Sequence, residues 1–280
     1  EQISIIGCFL YLSIDAPYEI GVRLVGSEMC IRDRFIMFSF FKKKKIVPYI
    51  RLNGVIGNVG KFKQGIDFNG QEEIIKKAFS IKKAEVVAIS INSPGGSPVQ
   101  SHLIYRYIRE LAKKNKKKVI VFAEDVAASG GYLIACAGDE IYANSSSIIG
   151  SIGVIYSSFG FTELIKKIGV ERRVHTAGKN KSTLDPFLDE KKEDIERLKN
   201  IQLDLHKDFI EVVEKSRSSK LKKSEVELFS GEFWSGRRAK ELGLIDGIGN
   251  ADQILKEKFG EKVIIKNLHI LDISTSKIIY

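Results

Sequence analysis

Two stretches of the sequence decide the fold: residues 86–96, VVAISINSPGG, and residues 119–131, VIVFAEDVAASGG. Each begins with a short apolar run rich in β-branched residues and ends in a glycine pair. A continuous apolar run of this length is typical of a strand buried on both faces, as in parallel sheets. Apolar residues at helical spacing follow each stretch. The sequence therefore predicts strand–helix alternation and an α/β fold with a mainly parallel sheet flanked by helices.

The same two patterns place further elements along the chain. Short runs with strand character predict strands at 47–56, 86–91, 119–123, 141–143 and 154–156. Apolar residues at helical spacing predict helices at 71–83, 235–242 and 250–259, and a long, charged helical segment at 190–229. Both glycine pairs follow predicted strands. Because ligands of parallel sheets bind beyond the carboxyl ends of the strands, we expect both glycine loops on one edge of the sheet.

Composition restricts the class of protein. The 280 residues carry a formal net charge of +10, much of it in lysine runs such as 42–45 and 116–118. These runs lack interleaved aromatic or arginine residues, so they predict a solvated face rather than a nucleic-acid interface. Three scattered cysteines predict no disulfide framework and no zinc site. No apolar run is long enough to predict a transmembrane helix.

The start of the chain differs from the rest. Residues 22–34, VRLVGSEMCIRDR, have no apolar periodicity and resemble a translated sequencing-adaptor read. We therefore expect residues 1–36 to be non-native or disordered, residues 37–268 to form a single domain, and residues 269–280 to form a tail. The segment from residue 37, MFSFFKKKK, is apolar and basic, which allows peripheral contact with a membrane surface but no span.

The two glycine loops contain candidate catalytic groups. Pro94 ends the strand before it, and Gly95 and Gly96 leave backbone N–H groups free to bind an oxyanion. Ser129 follows a strand and opens a helix among small residues, as a nucleophile would. Each feature has a plainer interpretation from the residues alone: the first loop is a tight turn, and Ser129 is a helix N-cap.

A serine nucleophile needs a base. The four histidines, His102, His175, His206 and His269, have no catalytic pattern around them. The candidates are therefore lysines, since burial can lower a lysine pKa far enough for the amine to be neutral. Composition does not say which lysine acts.

Five motifs together carry a family resemblance. They are INSPGG at 91–96, ASGGY at 128–132, GSIGV at 150–154, AGKNKS at 177–182 and FWSGRRAKELGLIDGIG at 233–249. In this order they resemble the bacterial signal peptide peptidase A family over residues 47–268. The fold of that family is similar to those of the Clp protease subunit and the crotonases.

The resemblance implies roles for individual residues. Ser129 would be the nucleophile and Lys181 the general base, with Lys179 as the second choice. Ser151 would hydrogen-bond the lysine and orient it, and Tyr132 would be structural. The oxyanion hole would use backbone N–H groups of Gly95, Gly96 and Gly130.

The resemblance also implies a function. The protein would be a serine-type endopeptidase with a Ser–Lys dyad that hydrolyses hydrophobic peptides such as cleaved signal peptides, with no metal or other cofactor. It would form a homo-oligomer, a ring or dome, in which Lys181 acts within its own subunit or on a neighbour. It would be membrane-associated or soluble in a bacterial cell, and it would bind no nucleic acid.

Three alternatives share the fold. A crotonase-type acyl-CoA enzyme would use the oxyanion hole but would not need the Ser129–Lys181 pair. A Clp-type Ser–His–Asp protease would need a histidine near position 154, which is valine. A non-catalytic oligomeric scaffold would need neither the serine nor the lysine.

Overall fold

The computed structural model describes residues 44–57, 65–222 and 228–269. Apart from Lys44, these residues belong to one compact unit, Lys45–Tyr280. The predicted non-native segment, residues 1–36, lies outside the described residues. So does the predicted tail apart from its first residue.

The described chain alternates strands and helices. The strands are β1 (Ile46–Asn53), β2 (Val86–Ser93), β3 (Lys118–Ala128), β4 (Glu140–Ala143), β5 (Ile148–Gly150), β6 (Phe233–Ser235), β7 (Gly247–Ile248) and β8 (Ile264–Asn267). The helices are α1 (Phe68–Ser80), α2 (Pro98–Asn115), α3 (Gly130–Ala135), α4 (Thr162–Lys167), α5 (Lys192–Arg217), α6 (Gly236–Glu241) and α7 (Ala251–Phe259), and a 3₁₀ turn follows α5 at Ser218–Lys220.

The described strands form one sheet in the order β6-β5-β3-β2-β1-β8; off this path, β4 pairs with β3, and β7 pairs with β4. Every pairing among them is parallel except that of β5 with the edge strand β6. The predicted α/β fold with a mainly parallel sheet flanked by helices is confirmed. The long central strand β3 contacts β2 on one side and both β4 and β5 on the other.

Burial explains why these sequences form these elements. Seven of the eight residues of β2 are buried, as a strand covered on both faces requires. Helix α2 begins with Ser97 as its N-cap and Pro98 in its first turn, a favourable start because proline lacks the N–H that would be unpaired there. Its buried side chains recur at helical spacing: Ser101, Ile104, Ile108 and Ala112.

Two predictions about elements are wrong in detail. Residues 154–156 form no strand, and the exposed fraction of Ile155 is 86%. The strand lies earlier, at β5, and it ends where Gly150 and Ser151 both take positive φ angles. The α-helix in the segment predicted at 190–229 is shorter than expected. It ends at Arg217, whose buried guanidinium donates a hydrogen bond to the Gly243 carbonyl.

No helix in the described part of the chain is long and apolar enough to cross a membrane.

Candidate active site

The two glycine loops meet at the carboxyl ends of β2 and β3, as the sequence predicts. Ser93 lies beside Ala127 in the parallel register, so the loops leave the sheet side by side. A Cβ atom added to Gly95 would lie 2.7 Å from the Ser129 Cβ and 2.9 Å from the Gly130 nitrogen. Only glycine, with its φ of 106°, permits this approach.

Ser129 occupies the turn between β3 and α3. Its φ of 52° and ψ of −125° are unusual for a residue with a side chain, and such strain costs about 1–3 kcal/mol. Its N–H donates to the Gly150 carbonyl at 2.8 Å, whereas its side chain makes no capping hydrogen bond. Ser129 thus occupies the N-cap position of α3, but its hydroxyl is not used to cap the helix.

The backbone N–H groups beside Ser129 differ in availability. The Gly95 N–H donates to the Ser93 hydroxyl at 3.2 Å. Within the described residues, the N–H groups of Gly96 and Gly130 donate no backbone hydrogen bond outside regular helix and strand pairing. Gly96 and Gly130 are thus the better candidates for an oxyanion hole, and the assignment of Gly95 stays a prediction.

Ser151 lies next to Ser129 through strand register. Ala128 pairs with Gly150 between β3 and β5, so the two serines follow the paired strands at the same edge. Ser151 also has a positive φ, 53°, and its N–H donates to the Glu232 carbonyl at 2.6 Å. Edge strand β6 supports this turn, since Gly150 pairs with Phe233.

Lys181 lies in a turn of the segment 154–189 and is exposed, as is Lys179. The Lys181 N–H donates to the Gly178 carbonyl. Within the described chain, no hydrogen bond or ion pair joins its side chain to Ser129 or Ser151. Bonds inside the segment hold it together, among them Phe161 N–H to the Pro186 carbonyl and the Arg172–Asp185 ion pair. No described contact joins the predicted base to Ser129, and the role of Lys181 stays a prediction.

Other residues at this edge had no predicted role. The Nε2 atom of His206 on α5 lies 3.1 Å from the Ile152 carbonyl, so the ring donates to the GSIGV loop. The Ser101 hydroxyl donates to the Ser97 carbonyl at the start of α2. The His206 contact joins residues 54 positions apart, and the Ser101 contact belongs to no motif. No pattern in the sequence therefore indicated either contact.

Tyr132 is fully buried, as its predicted structural role requires, and Cys136 at the end of α3 is buried as well. The Tyr132 hydroxyl donates to the Leu244 carbonyl at 2.7 Å from a fully buried position behind Ser129. Burial raises the pKa of the Cys136 thiol to about 12, which keeps it protonated and unreactive.

A cavity of about 920 Å³ lies away from these loops. Its lining includes Lys118, the first residue of β3, whereas Ser129 follows the last residue of that eleven-residue strand. Basic side chains dominate the lining: Arg106, Arg109, Lys113, Lys116, Lys117, Lys118 and Lys215. Within the described ranges, no group of three or more His, Cys, Asp or Glu side chains could hold a metal ion.

The model of Peptidase family S49 matches residues 111–263. The chain belongs to this family. The matched range contains four of the five motifs, those at 128–132, 150–154, 177–182 and 233–249, and the INSPGG loop precedes it.

Relatives agree with this assignment. A putative signal peptide peptidase SppA of Enterococcus faecium is 31% identical over 225 residues, which cover 78% of this chain and 64% of that protein. The predicted resemblance to the signal peptide peptidase A family is confirmed.

A second relative is much longer than this chain. A Brucella abortus protein named Na(+)/H(+) antiporter NhaA is 58% identical over 234 residues, 83% of this chain. The chain spans only 32% of that relative's length. The family match, over residues 111–263, is to a peptidase family.

Among solved structures, the 1510-N membrane-bound stomatin-specific protease, as its S97A mutant, is similar at 16% sequence identity with a TM-score of 0.46. The match covers 81% of this chain and 98% of that one.

Proposed function

We propose that this chain is a serine endopeptidase in which Ser129 is the nucleophile and Lys181 the general base, acting on hydrophobic peptides such as cleaved signal peptides. The observation that carries the proposal is the Ser129 hydroxyl, which caps no helix and lies in a strained turn against the Gly95–Gly96 loop. Membership in Peptidase family S49 and the likeness to a putative signal peptide peptidase support it.

The proposed reaction requires the Lys181 amine in contact with the Ser129 hydroxyl. Acting as general base, the amine of Lys181 takes the proton from the Ser129 hydroxyl while Oγ attacks the peptide carbonyl carbon. The N–H groups of Gly96 and Gly130 bind the oxyanion. When the tetrahedral intermediate collapses, the C–N bond breaks, and the departing amine takes the proton from the lysine. Water, deprotonated by the same lysine, then attacks the carbonyl carbon of the acyl-enzyme. The C–O bond to Ser129 breaks, Oγ takes the proton back from the lysine, and the carboxylic acid is released.

Exposed apolar side chains around the loops support an apolar peptide as substrate. Val99 and Leu103 lie on one face of α2 just after the Gly95–Gly96 loop, and Phe233 pairs with Gly150 on the other side of Ser129. All three are exposed, and the exposed fraction of Phe233 is 65%. Side chains of this kind favour contact with hydrophobic residues of a bound peptide.

A homo-oligomer is part of the proposal because the segment that contains Lys181, residues 154–189 (the lysine segment), has apolar side chains that the described chain leaves exposed. Phe159, with an exposed fraction of 78%, Ile155 and Ile168 are apolar and exposed on this segment. A lysine is neutral near physiological pH only where burial lowers its pKa. Contact with a second subunit would bury both the apolar side chains and Lys181, and would bring the amine to Ser129 of the same or the neighbouring subunit.

Paired substitutions test the dyad. We expect Ser129→Ala and Lys181→Ala each to abolish cleavage of a fluorogenic hydrophobic peptide, and Lys179→Ala to keep it. Because these groups act as a unit, each loss should be about 10⁴-fold or more. A fluorophosphonate probe should label wild type at Ser129 and leave Ser129→Ala unlabelled. Wild-type cleavage by Ser129→Ala would refute the proposal.

A mixing experiment separates action within one subunit from action across two. If Lys181 reaches a neighbour's Ser129, unfolding and refolding Ser129→Ala together with Lys181→Ala should restore part of the activity. If it acts within its own subunit, the mixture should stay inactive. Each variant refolded alone is the control.

A further inference from the structure

Strand β3 steps out of register beside β2 shortly before Ser129. Ile91 pairs with Ala123, yet the next pair is Ser93 with Ala127. One residue of β2, Asn92, therefore lies opposite three residues of β3, 124–126. Strand β3 has two extra residues here, and Glu124 and Asp125 form the centre of a β-bulge. Bulges next to active sites re-aim the side chains that follow them.

The same bulge marks the place where β3 changes neighbours. Ala123 pairs with Ala143 of β4, whereas Val126 pairs with Ile148 of β5. The three residues after the bulge, 126–128, lead directly to Ser129. They pair in parallel with β5 residues 148–150, which lead to Ser151. The geometry of the bulge therefore sets where the nucleophile emerges from the sheet.

One side chain bridges the step. Asn92 Oδ1 accepts from the Val126 N–H at 3.2 Å, and Asn92 Nδ2 donates to Asp125 Oδ2 at 3.0 Å. Because a backbone N–H only donates and a carboxylate only accepts, both atoms of the amide are needed, each on its own side. Asn92 lies three residues before Gly95, so its amide joins the strand of the glycine loop to the strand of the nucleophile.

The rest of the bulge is also bonded. The Glu124 carboxylate accepts from Arg51 and from the buried Ser90 hydroxyl, and the Glu124 carbonyl accepts from the Ser147 hydroxyl. Asn92 is the member of this network that binds the backbone of β3 after the step, at Val126. Its amide therefore controls the residues between the bulge and Ser129 more directly than the Glu124 contacts do.

We propose that Asn92 is a positioning residue for Ser129: its amide bridge to Asp125 and Val126 fixes the bulge, and thereby the placement of the Ser129 hydroxyl relative to the Gly96 N–H. Asn92 acts through the backbone of β3. This inference rests on the proposed function of Ser129 as the nucleophile.

A charge-swap pair tests the bridge. In Asn92→Asp, two carboxylates face each other, and the donor to Asp125 is lost. In Asn92→Asp/Asp125→Asn, the new aspartate accepts from both the Val126 N–H and the new amide, so the bridge returns with its direction reversed. Asn115→Asp, the same chemical change at the exposed end of α2, is the matched control.

We expect Asn92→Asp to lower kcat by about 10-fold or more with little change in KM, because small misplacements of catalytic groups cost up to about 10²-fold. Fluorophosphonate labelling of Ser129 should slow in parallel. The double variant should recover most of both rates, and Asn115→Asp should match wild type. Measurements are made at a temperature at which thermal melts show every variant to be folded.

Two outcomes would overturn the inference: a folded Asn92→Asp variant with wild-type kcat and labelling rate, or a folded double variant that stays as slow as the single one. Ser129→Ala, assayed alongside, separates these failures from failure of the proposed function. If Ser129→Ala is inactive while Asn92→Asp is unaffected, only the positioning role fails. If Ser129→Ala is active, the nucleophile assignment fails.

Discussion

The glycine loops at Gly95–Gly96 and Ser129–Gly131 and the lysine segment, residues 154–189, differ in how the described chain holds them. Around Ser129, backbone atoms approach so closely that a methyl group at Gly96 would lie 2.0 Å from the Ile56 carbonyl oxygen. Around Lys181, an added methyl group at Gly178 would meet no atom within 4 Å. Packing within one chain therefore fixes the position of the serine, whereas the described packing leaves the lysine side of the site uncovered.

Helix α5 passes from one region to the other and shows the same contrast along its length. Ile201 and Leu203 in its first half are exposed. Phe209, Val213 and Arg217 in its second half are buried. The half nearest Ser129 is part of the core, and the half nearest the lysine segment has exposed apolar side chains. The following four substitutions test this contrast, from the largest expected effect to the smallest.

Gly96→Ala should have the largest effect. The new methyl group would clash with the Ile56 carbonyl, and the φ of 144° at this position is unfavourable for alanine. Since the loop must shift and carry its N–H with it, we expect kcat to fall by about 10²–10³-fold, the cost of losing one oxyanion donor. Peptide cleavage and thermal melting measure the loss. Wild-type activity in a folded Gly96→Ala variant would contradict the tight packing inferred here.

Arg217→Met tests the core half of α5. The guanidinium is buried and bonded to the Gly243 carbonyl and the Asp246 carboxylate. Breaking a buried pair leaves its partners uncompensated, so the free energy of unfolding should fall by about 3–5 kcal/mol in urea titrations. Lys199→Met, on the exposed half of the same helix, is the control and should change it by less than about 0.5 kcal/mol. Equal effects would remove the contrast between the two halves.

The Arg217 variant should also change the response to acid. Burial alone would raise the pKa of Asp246, but hydrogen bonds from Arg217, Lys220 and the Ile141 N–H hold it below its ordinary value of 3.8. The stability that Asp246 contributes is thus present above pH 3.8 and is lost as the pH falls through the lower folded pKa. Urea titrations below pH 4 should therefore show a shallower pH dependence for Arg217→Met than for wild type.

Tyr132→Phe should have a moderate effect. It removes the buried hydrogen bond from the tyrosine hydroxyl to the Leu244 carbonyl and keeps the ring that packs α3 behind Ser129. One unpaired buried carbonyl predicts a loss of about 1–2 kcal/mol in the free energy of unfolding. Cleavage should stay near the wild-type rate while the protein is folded. A large fall in kcat without loss of stability would show that Tyr132 does more than support the helix.

Gly178→Ala should have the smallest effect on global stability. The site has open space, and only the φ of 106° opposes a side chain. We expect about 1 kcal/mol of local strain, with a far smaller shift in Tm than Gly96→Ala causes. A shift as large as that of Gly96→Ala would mean that the segment packs more tightly than the described contacts show.

Local patterns in the sequence determined much of this protein. The apolar runs at 86–91 and 119–123 indicated the central strands, and the glycine pairs after them indicated the loops that meet at Ser129. These features depend on alternation, helical spacing and turn residues, which act between neighbours along the chain. The family motifs then indicated Ser129, Ser151 and Lys181 as the candidate catalytic residues.

Pairing between distant residues was decided only by the tertiary structure. The strand expected at 154–156 lies instead at Ile148–Gly150, because the parallel register with β3 selects the residues that pair. The bulge at Glu124 and Asp125, and the bridge that Asn92 makes across it, arise from how two strands align. Such alignment depends on contacts between residues more than thirty positions apart, and no local pattern encodes it. The sequence by itself thus predicted which serine to examine, and the tertiary structure decided which residues surround it.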